Sequence, residues 1–294
     1  ELLPTGLAVN SMVFNGSRFI GPALGGAIIA AAGIGWAFVA AWGLFFIFTL
    51  ALRRLAVPAE PRRPAAASFA AETWEGMRYM AAHPGIRMQM IILLSTAFLA
   101  RPIIDLFPGF AGQVFAGGPE TLASLMSAMG LGAMGGGVFL AGRRGGTRGM
   151  AAVTLGAMGA SALALLAFTS TGILALALPL AAALGFSLIV LGIGNQTLIQ
   201  SAVDPRLRGR VISLYGTAAR ATPSVGALAI GGLAESTGLR WPVAGGAVLC
   251  LAVWAGAWRR RAAYAGDMEA VPDEAVCTEA RESAGEGPPR LPER

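Results

Sequence analysis

"GMAAVTLGAMGASALALLAFTSTGILALALPLAAALGFSLIVLGIGNQTLIQSAV", residues 149–203, carries no charged side chain between Arg148 and Asp204. A helix crossing the hydrocarbon core of a bilayer needs about 20 apolar residues. The stretch therefore crosses twice, with Thr169-Ser170-Thr171-Gly172 as its polar turn. The whole chain agrees, with 55% hydrophobic residues, 13% charged residues and a mean hydropathy of +0.64, where a soluble domain is roughly 25% charged. The fold class is read as all-α, a polytopic bundle of membrane helices.

Hydrophobic length and Gly, Pro and Arg punctuation give eight expected spans: Ser11–Ala32, Trp36–Leu52, Met88–Phe110, Leu122–Ala141, Met150–Phe168, Ile173–Val203, Val211–Ala234 and Pro242–Trp258. The arginines orient them. Arg53, Arg54, Arg62, Arg63, Arg78 and Arg87 follow the second span, Arg143, Arg144 and Arg148 the fourth, Arg206, Arg208 and Arg210 the sixth, and Arg259, Arg260 and Arg261 the eighth. The alternate loops hold only Arg240. Basic loops stay in the cytoplasm, so both ends of the chain are expected there, in a plasma (inner) membrane. Only Arg18, Arg101 and Arg220 fall within spans.

Several function classes drop out. The net charge is +6 and all 22 basic residues are arginine, which reflects composition bias. A nucleic-acid surface would cluster such charge on one soluble face, whereas here it separates apolar runs. Cys250 and Cys277 have no ligand spacing, so neither a disulfide framework nor a zinc site is supported. No nucleophile, base and orienter assemble as an enzyme needs, and no cofactor is implied. "GLGAMG" at 130–135 has the spacing of a nucleotide fingerprint but lies inside a span, where helix packing explains it.

"RFIGPALGGAIIAAAGIGW" from Arg18 and "RATPSVGALAIGGLAESTGLRW" from Arg220 share an order of features: arginine, proline, small residues, Gly-Gly, a turn and tryptophan. The two copies stand six spans apart, and transporters are commonly built from two such halves with the substrate site between them. On that reading residues 1–55 hold the last two helices of an N-terminal half whose first four are missing. Residues 56–85 are an inter-half loop, 86–260 a complete six-helix half and 261–294 a disordered acidic tail. The start Glu-Leu-Leu-Pro, without initiator Met or signal peptide, fits a fragment. The alternative is an accidental repeat in a complete eight-helix protein. Within the loop, Phe69, Trp74, Met77 and Met80 oppose Glu72, Glu75 and Arg78 as an amphipathic helix on the membrane face.

Three motifs carry a family resemblance. "GPALGG" (Gly21–Gly26) resembles the antiporter motif in the fifth helix of major facilitator superfamily carriers. "QSAVDPRLRGRVISLYG" (Gln200–Gly216) is similar to the loop between helices ten and eleven in that superfamily's secretion-effector branch, which includes enterobactin-type siderophore exporters and macrolide efflux proteins. "GAMGGGVFLAGRRGG" (Gly132–Gly146) resembles the end of helix eight and the loop after it, although "GRRGGTRG" lacks the acidic residue usual there. The resemblance covers residues 1 to 260 and makes the spans helices five to twelve. It implies secondary transport by alternating access, usually proton-coupled, with small amphiphilic cargo.

The candidate site residues follow from charge in the wrong solvent. Intramembrane charges mostly face a bundle interior or an aqueous cavity. In "FLARPIIDLFPGF" (98–110), Arg101 and Asp105 stand at i and i+4 on one helix face, beside a Pro102 that distorts the helix. They are expected to couple protons or hold cargo; the structural alternative is a permanent ion pair that locks helices. Arg18 shares a stripe with Ser11, Asn15 and Pro22, and Arg220 is its repeat partner; both are candidates for cavity lining, against a loop contact for Arg18 and snorkelling for Arg220.

Asn195, Gln196 and Gln200 are interhelical glue by default, with Gln196 kept as a cargo candidate. Gly21, Pro22, Gly25 and Gly26 form a helix-packing motif. Asp204, Arg206, Arg208 and Arg210 are candidates for a cytoplasmic gate, or topology and anionic-lipid contacts. His83 is read as a solvated loop residue rather than a proton relay. The expectation is a monomeric, proton-coupled exporter whose partners are cargo, protons and the lipid bilayer, with an importer or a non-transporting scaffold as alternatives.

Overall fold

A computed structural model describes residues 32–54, 69–143, 147–204 and 207–269, together with Leu24 and Ile28. All regular elements among them are helices. The chain divides into two compact units, Glu1–Ala66 and Ala67–Arg294, and the division falls inside the expected 56–85 loop.

The described helix of the first unit is α1, Ile34–Arg53. Gly33 starts it in a positive-φ conformation (φ 87°), and Arg53 lies in the last turn, where a cation favours the helix dipole. Trp36, Phe38, Trp42, Phe45, Phe46 and Phe48 are all exposed. A helix apolar on every side belongs in lipid or against other apolar helices.

The second unit begins with α2 (Phe69–Ala82) and α3 (Pro84–Leu99). A short α4 (Ile103–Gly109) runs into a π-helical turn at Phe110–Val114. Then come α5 (Pro119–Ala141), α6 (Met150–Ser170), α7 (Leu174–Ala202), α8 (Arg208–Thr237), α9 (Arg240–Arg259) and α10 (Arg261–Glu269). Among the described residues, six stretches are long and apolar enough to cross a membrane: Gly35–Arg53, Pro84–Val114, Pro119–Ala141, Met150–Ser170, Leu174–Ala202 and Arg240–Arg259.

Six of the eight expected spans have a counterpart among these stretches. Ser11–Ala32 lies almost wholly outside the described residues. Val211–Ala234 lies inside α8, whose 30 residues are ample in length, but α8 is not among the helices apolar enough to cross. Within 211–234 the reason is Arg220 together with Tyr215 and the hydroxyl side chains of Ser213, Thr217, Thr222 and Ser224.

Glycines set how closely the remaining helices pack. α5 and α7 form the most extensive contact in the unit. A β-carbon on Gly132 would overlap the Ala182 carbonyl, and one on Gly185 would overlap that of Met129. Backbone therefore meets backbone, as small-xxx-small seams allow. One core cluster, toward the end of the bundle where the arginine-rich segments gather, centres on Ile86, Ile92, Leu155, Met158 and Leu198. The other holds Phe107, Phe110, Phe168, Leu165 and Leu184. In it the Phe168 ring lies 5.6 Å from Phe107 and 5.2 Å from Phe110, within the range where tilted aromatic pairs add to burial.

Two local expectations are corrected. Residues 261–269, read as the start of a disordered tail, form α10, with Tyr264 and Met268 buried; residues 270–294 lie outside the described residues. α2 forms where the amphipathic helix was expected, with Phe69, Trp74, Met77 and Met80 within one helical arc opposite Glu72, Glu75 and Arg78. Met80 turns inward beside Gly76, where Leu214 leaves no room for a side chain, while Trp74 and Met77 are exposed. His83 is the N-cap of α3 rather than a solvated loop residue: its Nδ1 accepts the Ile86 N–H (3.3 Å), and Pro84 occupies the first helical position.

Candidate functional site

The third expected span is broken where its charges sit. Pro102 has no N–H to give the Phe98 carbonyl, and the Ala100 and Arg101 N–H groups both turn back to the Thr96 carbonyl, each at 3.0 Å. Two neighbours close on the break. A β-carbon on Gly226 of α8 would overlap the Phe98 carbonyl, and one on Gly246 of α9 would stand 3.0 Å from that of Leu99. Pro102 and Ile103 are buried, whereas Arg101 and Asp105 are exposed. Asp105 lies in the first turn of α4, where a carboxylate is favoured. Among the described residues neither Arg101 nor Asp105 has an ion-pair partner, so the locking pair is not formed here.

α8 supplies a second polar surface. Gly226, Val211, Tyr215 and Ile230 are its buried side. Ser213, Thr217, Arg220 and Ser224, at i, i+4, i+7 and i+11, are exposed on the opposite side. The Arg220 guanidinium lies back along its own helix, 3.3 Å from where a β-carbon on Gly216 would be. Arg220 precedes the Gly226–Phe98 contact by six residues, and Arg101 follows it by three. At 1.5 Å per residue the two arginines stand about 14 Å apart along the helix axes. Among the described residues, Arg101 and Asp105 thus stand at one level and Arg220 at another.

At the arginine-rich end, Glu75 of α2 forms a salt bridge with Arg210 of α8, and the Asp204 N–H donates to the Tyr79 hydroxyl (3.3 Å). Two of the gate candidates therefore meet α2, and Arg208 is exposed. Gln196 is half-buried near that end of α7.

Its neighbour Asn195 belongs to a network that the sequence did not announce. The Gln89 amide donates to Asn195 Oδ1, and the Tyr264 hydroxyl donates to Gln89 Oε1, all three residues being buried. The network joins α3, α7 and α10. Burial, then Glu269 nearby, pushes the Tyr264 pKa above its ordinary range. Glu269 itself accepts the N–H groups of Gly149 (2.7 Å) and Ala151 (2.8 Å) at the start of α6. A carboxylate on two free amides of a helix N-terminus is a strong cap. Gln89 was legible as a lone amide in an apolar run; Tyr264 and Glu269, 175 and 120 residues from their partners, had no local signal.

Asn15, Arg18, Gly21, Pro22, Gly25, Gly26 and Arg206 lie outside the described residues. Among those that are described, no three His, Cys, Asp or Glu side chains gather as metal ligands would.

A family profile described as transmembrane secretion effector, of the major facilitator type, matches residues 1–278. No curated protein and no solved structure matches the chain. The chain belongs to the secretion-effector family of multi-pass membrane transporters of the major facilitator type.

Proposed function

We propose that this member of the secretion-effector family is a proton-coupled exporter that carries small amphiphilic molecules across the plasma membrane by alternating access. The observation that carries the reading is the state of Arg101 and Asp105. Both are exposed beside a helix break inside a membrane span and, among the described residues, have no ion-pair partner. An unpaired charge in a membrane span is costly and is retained mostly where water or cargo reaches it. Asp105 is the residue assigned to proton exchange, and Arg101 the counter-charge that senses its protonation. Ser213, Thr217, Arg220 and Ser224 line the same aqueous path at a second level, with Gln196 as a further cargo contact. The surface offers cations, hydroxyls and apolar flanks together, which suits amphiphilic cargo. Asp204, Arg206, Arg208 and Arg210 with Glu75 would then close the cytoplasmic end.

The test uses the full-length protein in proteoliposomes with a panel of amphiphilic dyes and drugs under an imposed pH gradient. Wild type is expected to move cargo against proton flow, and Asp105→Asn to insert normally but lose proton-driven movement. Wild-type rates in that variant would remove Asp105 from the mechanism, and no gradient-driven movement by wild type would favour a scaffold.

A further inference from the structure

Between α3 and α10 lies a cavity of about 110 Å³, lined by Arg87, Met88, Ile91, Arg260, Tyr264 and Asp267 among others. We propose that it seats the headgroup of an anionic phospholipid whose phosphodiester bridges Arg87 and Arg260.

Depth is the first argument. Arg87 lies in the first turn of the Pro84–Val114 span, and Arg260 directly follows the Arg240–Arg259 span. Both guanidinium groups therefore lie where lipid headgroups begin. Size is the second, since drug-sized ligands need about 300–1,000 Å³, whereas a phosphate with a few waters fits 110 Å³. Charge is the third. Among the described residues neither arginine has a carboxylate partner, and the Arg87 side chain reaches only the Ala81 carbonyl, at 3.4 Å. With Asp267 in the same lining the cavity carries one net positive charge, which matches a singly charged phosphodiester better than a doubly charged monoester.

The fourth argument is the surface beyond the mouth. Ile91 and Leu94 are exposed one and two turns deeper than Arg87, and α3 positions at i, i+4 and i+7 share a face. They offer an apolar track for an acyl chain under the headgroup. Tyr264, at the cavity's base, is the hydroxyl that closes the buried Gln89–Asn195 network. A bound headgroup would thus hold α10 on the bundle.

The experiment is native mass spectrometry of the full chain released from micelles holding equal amounts of phosphatidylglycerol and phosphatidylcholine. Wild type is expected to retain one phosphatidylglycerol in preference. Arg87→Gln with Arg260→Gln should weaken that preference about tenfold, because charge-assisted bonds to phosphate are lost. The charge-matched control, Arg148→Gln with Arg54→Gln at two exposed arginines, should leave it unchanged. Equal retention of the two lipids by wild type overturns the proposal, as does an equal loss in both double variants. Displacement of the lipid by inorganic phosphate at like concentration would assign the site to a soluble anion instead.

Discussion

α7 and α8 are nearly equal in length, 29 and 30 residues, and follow one another in the chain, yet they are built on opposite plans. α7 contains no charge, and Gly185 brings its backbone against that of α5. α8 carries arginines and hydroxyls, packs by Gly226 at the α3 break, and turns Ser213, Thr217, Arg220 and Ser224 outward. The difference separates two jobs. A carrier needs helices whose neighbours never change, and helices that keep a polar face for water and cargo. Polarity along a helix then reports which job it has, because an unsatisfied polar face is not tolerated against lipid.

The sharpest way to break this contrast is at the α7 seam. Gly185→Val places a branched side chain where even a β-carbon meets the Met129 carbonyl. Overpacking costs about 1–3 kcal/mol in an adaptable core, and here backbone, not a flexible side chain, must move. The expected result is loss of monodisperse protein in detergent. A well-folded Gly185→Val protein would show that the seam is looser than its geometry.

Next in size is the polar exception on α7. Gln89→Ala removes the amide that joins Asn195 to Tyr264 and strands both, at about 1–3 kcal/mol for each buried group left unpaired. Thermal unfolding should fall by several degrees, and a second change, Asn195→Ala, should then cost less than it does alone, because the pair is already broken. Additive losses would mean that the amides do not act together.

How much of this was written in the sequence depends on range. Six of the spans were legible because apolar length is a local property, and the Pro102 break followed from a missing N–H. The placement of α10 was not legible. "RAAYAGDME" is weakly apolar, and what orders it is the match of Tyr264 to Gln89 and of Glu269 to the α6 N-terminus, both remote in sequence. The outward face of α8 was half legible. Arg220 stood out as a charge, whereas Ser213, Thr217 and Ser224 became a stripe only once Gly226 identified the buried side.

A third prediction uses pH. Tyr264 has its pKa raised by burial, then by Glu269, while an unfolded tyrosine titrates near about 10. Below about pH 10 both states keep the proton and the stabilisation is complete. Above it the unfolded chain loses its proton first, so stability falls by about 1.4 kcal/mol per pH unit until the folded hydroxyl also titrates. The two cysteines and the other two tyrosines are common to wild type and Tyr264→Phe, so the difference between the two proteins isolates Tyr264. Unfolding midpoints of wild type and Tyr264→Phe from pH 9 to 11.5 should converge as pH rises; parallel curves would show that Tyr264 is not held neutral by the fold.

The smallest effect on stability is expected on α8, and it bears most directly on the two plans. Ser213→Leu and Thr217→Leu add apolar surface at exposed positions, so stability should stay within about 0.5 kcal/mol. The Thr217 hydroxyl already bonds the Ser213 carbonyl at 3.0 Å within its own helix, so its loss strands nothing elsewhere. If the stripe faces lipid, both changes should be neutral or stabilising and transport should be intact. If it lines the aqueous path, stability should hold while cargo movement in proteoliposomes drops several-fold. A stable variant that no longer transports separates the polar face of α8 from the packed faces of α7, where no substitution is expected to uncouple function from folding.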